Sequence, residues 1–294
     1  MKIIFIYSNR AEFAELEPFI EFFHLKCKIQ VINISKLIKK IELDENLGKV
    51  YEKCLKLFSK EKYDYVCILG DRRELPFIGL AAFFTNTKIV HIAAGEEINS
   101  ITSYDQYIRP IISLLSNHQI CFSANAKKNV KKLFEGISYL KNNTKNIGNP
   151  IFMDLDIKKL KRPISENYDL VLLHPQSLSR KKTLEDVKKL TKKISNKKTI
   201  IIKGNKDKNS DSIEDFYKKI KNKKNITIVE NFPKIKYFQY IKYCDKFFTN
   251  TSSIYEIKKI NPKCLRIIGD RNKDRTPEEY NKKAPEQLYK ILNK

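Results

Sequence analysis

The sequence predicts an α/β protein built as two Rossmann-like domains facing each other across a cleft. Three observations carry that expectation. Short apolar runs alternate with amphipathic stretches along the whole chain, the pattern of a parallel sheet covered by helices on both faces. The alternation lapses at a lysine-rich stretch, residues 157–165, containing Pro163, and then begins again. At 294 residues the chain also exceeds one comfortable core. The domains expected are residues 1–155 and 166–294, the last helix packing back on the first domain.

In the first domain, residues 3–7 are an apolar run and read as a strand. Residues 11–23 carry apolar side chains at helical intervals, with Pro18 a point of kinking. A strand at 29–34, a helix at 47–59, a strand at 65–69 and a helix at 76–84 follow. Strands at 88–92 and 119–122 flank a helix at 104–115. Residues 124–133 read as helix and 144–147 as a short strand before Gly148-Asn149-Pro150. In the second domain the expected strands are 168–173, 199–202, 226–229, one around Phe247-Phe248, and 265–268. Helices are expected at 183–194, 213–220, 235–242 and 252–259. A last helix at 278–293 is opened by Thr276-Pro277 and interrupted by Pro285.

Composition excludes several classes. Hydrophobic residues make up 41% of the chain, ample for a globular interior. No apolar run approaches the roughly 18 residues a spanning helix needs, so no membrane insertion is expected. The short apolar start reads as a first strand, not a secretory signal. Six cysteines show no CxxC and no histidine at metal-like spacing, which fits a reduced, cytoplasmic protein with no metal site. The net charge of +24 is uneven: residues 1–150 carry 22 basic and 16 acidic side chains, and residues 151–294 carry 36 and 18. Lysine is scattered along predicted helices, and no zinc-finger, RRM-like or helix-turn-helix signature accompanies it. Biased residue usage therefore explains the charge better than nucleic-acid binding.

The chemistry-bearing residues fall where strands give way to helices, the place where α/β sheets bind ligands. Arg10 follows the first strand, at a position where a cation meets phosphate, and no GxGxxG accompanies it. Asp71 ends the third strand and is followed by Arg72 and Arg73; a helix cap is its commoner role. Glu96 and Glu97 follow the fourth strand. Asp105 and Arg109 stand at i, i+4 on one helix face, either a surface ion pair or a carboxylate held for proton transfer. His174 directly follows the first strand of the second domain. Asn205 and Asp207 follow the next one. Ser252 and Ser253 open a helix where hydroxyls and N–H groups can hold phosphate. Glu256 lies one turn on, placed either to bridge ribose hydroxyls or to complete a capping box with Ser253.

Together these pieces resemble the UDP-N-acetylglucosamine 2-epimerase family, and more closely its hydrolysing branch, which makes N-acetylmannosamine for sialic-acid-type sugars. The elements are Arg10-Ala11-Glu12, Gly70-Asp71-Arg72-x-Glu74, His91-Ile92-x-x-Gly95-Glu96, Asp105-x-x-x-Arg109 and Gly148-x-Pro150. In the second half come His174-Pro175, Asn205-x-Asp207, Asn250-x-Ser252-Ser253 with Glu256, and Gly269-x-Arg271-x-x-x-Arg275. The resemblance implies a GT-B-type fold and a UDP-sugar substrate bound between the domains without a cofactor. It also implies elimination across the sugar C1–C2 bond followed by hydration, for sialic-acid-type sugar or surface glycan synthesis. It places Arg10, Asn205, Asp207, Ser252, Ser253, Glu256 and Arg271 at the nucleotide, and Asp71, Glu96, Asp105, Arg109 and His174 around the sugar. A homodimer or homotetramer is the assembly expected. The chain departs from the family in having Ala93 where an ionisable residue is usual, and Pro110 where the hydrolysing branch has His. Two other readings fit the same residues: a GT-B glycosyltransferase, and a nucleotide-sugar-binding homologue without turnover.

Overall fold

A computed structural model describes residues 1–38, 46–98, 104–137, 143–204 and 207–294. The chain forms two compact units. One comprises Met1–Glu97, Tyr104–Asp154 and Arg275–Lys294; the other is chiefly Leu155–Asp274.

The first unit begins with β1 (Lys2–Tyr7), α1 (Arg10–His24), β2 (Lys28–Asn33), α2 (Ile34–Leu37) and α3 (Gly48–Lys60). It continues through β3 (Tyr65–Leu69), α4 (Leu75–Phe84), β4 (Lys88–Ile92), α5 (Asp105–Leu115), β5 (His118–Cys121), α6 (Ala124–Phe134) and β6 (Thr144–Asn146). The six strands are all parallel, in the order β2-β1-β3-β4-β5-β6. Because side chains alternate along a strand, β1 feeds two cores. Ile3 and Phe5 pack with Leu16, Phe19 and Phe23 of α1, while Ile4 and Ile6 pack with Val50, Cys54 and Phe58 of α3. Every residue of the central strand β3 is buried, as expected of a strand covered on both faces. Helix α1 runs uninterrupted through Pro18.

The second unit contains a 3-10 turn (Ile157–Lys159), β7 (Asp169–Leu173), α7 (Arg180–Thr191), β8 (Thr199–Lys203), α8 (Asp211–Ile220) and β9 (Ile226–Val229). Then come α9 (Lys234–Tyr243), β10 (Lys246–Thr249), α10 (Ile254–Ile260) and β11 (Leu265–Ile267). Its five strands are also parallel, ordered β11-β10-β7-β8-β9. The fold class read from the sequence, two Rossmann-like α/β domains, is the one the chain adopts.

The C-terminal segment departs from expectation. The last helix, α11, spans Ala284–Leu292, not 278–293, and Pro285 lies in its first turn instead of interrupting it. Proline suits that position because the N–H it lacks has no partner in a first turn. Residues upstream are extended: Tyr280 bridges to Asn149, and the Glu279 N–H donates to the Phe122 carbonyl at 2.7 Å. Ala284, Leu288 and Leu292 enter the core around α1, so Arg275–Lys294 belong to the first unit and the second ends at Asp274.

Candidate active site

Each sheet has one switch point, where successive strands turn to opposite directions: between β1 and β3 in the first unit, and between β7 and β10 in the second. Ligand crevices in such sheets lie beyond the carboxyl ends of those strands. Of the residues singled out in the sequence, Arg10 and Asp71 follow β1 and β3, and His174, Ser252 and Ser253 follow β7 and β10; Glu96, Asp207 and Arg271 follow β4, β8 and β11.

In the first unit, Asn9 caps α1, its side chain accepting from the Ala11 and Glu12 N–H groups while Glu12 reaches back to the cap. Glu12 Oε2 accepts from the Ser8 N–H at 2.6 Å, the Ser8 hydroxyl at 2.8 Å and the Asn9 N–H at 3.2 Å. Burial, and then the neighbouring Glu74, push its carboxyl up to about 7, against the pull of Arg72 and the Ser8 hydrogen bonds. Arg10 is the first residue of α1 and is exposed.

Gly70 follows β3 with φ +85°, a left-handed turn suited to glycine. Its carbonyl lies 2.8 Å from Nε2 of the fully buried His91. A carbonyl only accepts, so Nε2 carries the proton and Nδ1 accepts from the Ser113 hydroxyl at 3.0 Å. Burial holds this imidazole neutral, its pKa lowered to about 3.

The next residue, Asp71, accepts from Arg109 Nη2, and Arg109 Nη1 donates to the Ala93 carbonyl. Arg109 is buried and also lies 3.5 Å from Glu96, which in turn pairs with the buried Arg275 at 2.6 Å. Burial alone would weaken the Arg109 cation; Asp71 and then Glu96 more than offset it and raise its pKa. Asp105, half-buried at the start of α5, adds its charge to both guanidiniums. Arg109 is thus not half of a surface pair with Asp105: it is buried, and its contacts run across the sheet end to Asp71, Ala93 and Glu96. Nor does Asp71 act as a helix cap, since α4 begins at Leu75 after Glu74.

The turn carrying Ala93 and Glu96 is tightly seated. Ala93 has φ +59° and Gly95 φ +76°. A Cβ on Gly95 would lie 2.1 Å from the Ala126 carbonyl oxygen, so no larger residue fits without displacing α6.

In the second unit, His174 follows β7 and is clamped by Asn250, which follows β10. The His174 N–H donates to Asn250 Oδ1 at 2.7 Å, and Asn250 Nδ2 donates to the His174 carbonyl at 2.9 Å. The Asn250 carbonyl accepts from Arg271 Nη1 at 3.3 Å and from Asn272 Nδ2 at 2.5 Å. Ser252 and Ser253 are half-buried and Glu256 is buried on the first turn of α10. Ser253 provides no side-chain cap, so the alternative of a capping box with Glu256 is not realised. Asp207 is half-buried in the turn before α8; Asn205 lies outside the described residues. Among the described residues no cluster of His, Cys, Asp and Glu could hold a metal.

A sequence profile described as UDP-N-acetylglucosamine 2-epimerase matches residues 14–292. The chain belongs to the UDP-N-acetylglucosamine 2-epimerase family. It is similar to the polysialic acid biosynthesis protein P7 of Escherichia coli, 28% identical over 74% of this chain and 58% of that protein. It is also similar to the GDP/UDP-N,N'-diacetylbacillosamine 2-epimerase (hydrolyzing) of Campylobacter jejuni, 28% identical over 80% of this chain and 64% of that one. The chain thus spans about three-fifths of the length of these relatives. In fold it is similar to the Methanocaldococcus jannaschii UDP-GlcNAc 2-epimerase solved with UDP-GlcNAc and UDP: TM-score 0.75, 18% identity, 100% of this chain and 99% of that one. The Neisseria meningitidis UDP-GlcNAc 2-epimerase bound to UDP-GlcNAc gives a TM-score of 0.72, 13% identity and 100% of both chains.

Within the family's motifs, the first unit brings together Asp71, Glu96 and Arg109, with Asp105 within electrostatic reach. The second joins His174 to Asn250 and Arg271. Two residues of the first unit's cluster were absent from the expected set. Arg275 pairs with Glu96, 179 positions earlier, and only its place in the Gly269–Arg275 motif hinted at it. Glu12 is the other; its buried carboxylate was foreshadowed only by the Arg10-Ala11-Glu12 motif.

Proposed function

We propose that this chain is a hydrolysing nucleotide-sugar 2-epimerase, converting UDP-N-acetylglucosamine or a related nucleotide amino sugar to UDP and the free 2-epimerised sugar. The observation that carries the reading is the chemistry found at each unit's own switch point. Carboxylates around a buried arginine occupy one; hydroxyls, a buried glutamate and an arginine occupy the other.

We assign the C2 proton to Asp105, half-exposed at the start of α5 and near enough to Arg109 and Arg275 to act on their charge. As that proton leaves, the C1–O bond to the diphosphate breaks and its electron pair departs with UDP, giving a glycal-like alkene. Water then adds, hydroxyl at C1 and proton at C2 from the opposite face, and the epimerised sugar is released. Ser252, Ser253, Arg10 and Arg271 bind the diphosphate, Glu256 the ribose, and His174 faces the departing oxygen. The hydrolysing outcome is supported by the name of the Campylobacter relative.

Incubation with UDP-N-acetylglucosamine in deuterated water, followed by NMR, tests the proposal. Free UDP and an N-acetylmannosamine product deuterated at C2 are expected without any acceptor. Sugar transfer that needs an acceptor would instead establish a glycosyltransferase.

Ala93 favours a second reading, a nucleotide-sugar-binding protein without turnover. It is buried, and its carbonyl is occupied by Arg109. Calorimetric binding of UDP-N-acetylglucosamine with no product in the same assay would establish it.

A further inference from the structure

Asp186, on α7, is fully buried yet belongs to no motif of the candidate site. Its Oδ2 accepts from Gln176 Nε2 at 3.1 Å and from Asn250 Nδ2 at 3.4 Å. Gln176 lies two residues past His174, and Asn250 clamps His174 itself. On its other side, Asp186 packs against Gly269 so closely that a Cβ there would lie 2.1 Å from Oδ1. Gly269, with φ +69°, opens the turn that leads to Arg271. One carboxylate therefore underlies the loops after β7, β10 and β11, which carry His174, the Ser252-Ser253 turn and Arg271.

The chemistry of this junction is directional. A side-chain amide has two ends of nearly equal shape, one donating and one accepting. The clamp on His174 works in one orientation only, with Asn250 Oδ1 toward the N–H and Nδ2 toward the carbonyl. A flipped amide would set oxygen against oxygen. A carboxylate accepts and never donates, so Asp186 opposes the flip and aligns Gln176 in the same way.

We infer that Asp186 is a positioning residue: it fixes the amide orientations of Asn250 and Gln176 and so holds His174 in register for the reaction. The inference deepens the proposed function and rests on the role assigned there to His174.

Two readouts test it, one independent of turnover. Asp186→Ala removes the acceptor; the His174 amide should then exchange hydrogen about tenfold faster, the worth of one net hydrogen bond. Its kcat should fall about tenfold or more while KM and UDP affinity stay within about threefold, since the nucleotide contacts remain. Asp186→Asn still offers an oxygen to both amides and should restore exchange and kcat to near wild type. Should the alanine variant fail to fold, Asp186→Ser, too short to span both amides, carries the same comparison.

Unchanged exchange at His174 in Asp186→Ala overturns the inference whatever the enzyme does. So does an Asn variant as defective as Ala in exchange, kcat and KM together. Full turnover by His174→Gln would instead remove the catalytic reading, leaving amide exchange to judge Asp186.

Discussion

Glu96 shares one carboxylate oxygen between two buried guanidiniums: Oε2 lies 2.6 Å from Arg275 Nη2 and 3.5 Å from Arg109 Nη2. Removing one partner of a buried ion pair strands the others without compensation, at a cost of about 3 kcal/mol or more. Arg275→Leu should therefore lower unfolding stability by about that amount in urea titration. The double variant Glu96→Gln/Arg275→Leu should be less destabilised than the two single losses combined. Simple additivity would mean that the pair is energetically uncoupled.

Two buried groups in the first unit should give opposing pH dependences. Glu12 holds its proton up to about pH 7, whereas an unfolded glutamate releases it near 4.5. The folded state thus binds the extra proton between those values, and stability falls as pH rises through them. His91 stays neutral down to about pH 3, whereas an unfolded imidazole protonates near 6.5. Here the unfolded state binds more, so stability is lost as pH falls from 6.5 toward 3. From 4.5 to 6.5 the two slopes cancel. Glu12→Gln should expose a stability that rises with pH over that window, and His91→Gln one that declines. Chemical denaturation across pH 4 to 8 measures both.

The proposed division of labour separates binding from turnover. Asp105→Asn should reduce product formation by at least about 100-fold, the scale of a lost general base, while UDP affinity by calorimetry is retained. Glu256→Ala should do the reverse, weakening UDP about tenfold or more as its hydrogen bonds to ribose are lost. An unchanged rate in the first would remove Asp105 from the mechanism. Untouched affinity in the second would leave Glu256 a buried structural carboxylate.

Gly95→Ala should be the most damaging single methyl addition in the first unit's site. The new Cβ meets the Ala126 carbonyl oxygen at 2.1 Å and Val130 Cγ2 at 2.5 Å, on a residue with φ +76°. Overpacking and left-handed strain together predict a loss of about 3 kcal/mol. A lowered melting temperature, with reduced turnover from a displaced Glu96, is the expected result.

Much of this was legible in the sequence because it is local. Strand and helix positions followed from apolar spacing, and strand ends placed Asp71, His174 and Asn250 at the carboxyl ends of the two sheets. Partnerships across the fold were not legible. The i, i+4 spacing suggested Asp105 for Arg109, but the guanidinium contacts Asp71, 38 positions away, and Glu96. The same holds for Arg275, whose partner no local rule could name. Nor did the apolar spacing at 278–293 reveal that Tyr280 would bridge to Asn149 as extended chain. Asp186 belongs to none of the sequence motifs, and its buried contacts with Gln176 and Asn250 arise only where three loops meet.

Phe23 meets Tyr289 edge-on at 5.5 Å, and Leu288 shares its core. As the chain emerges during synthesis, the N-terminal sheet must wait, one flank bare, while the whole of Leu155–Asp274 is made and can collapse by itself. Its closing piece arrives only after that. A polypeptide ending at Asp274 would leave that greasy flank of α1 open to water, prone to aggregation even though every strand of both sheets is present.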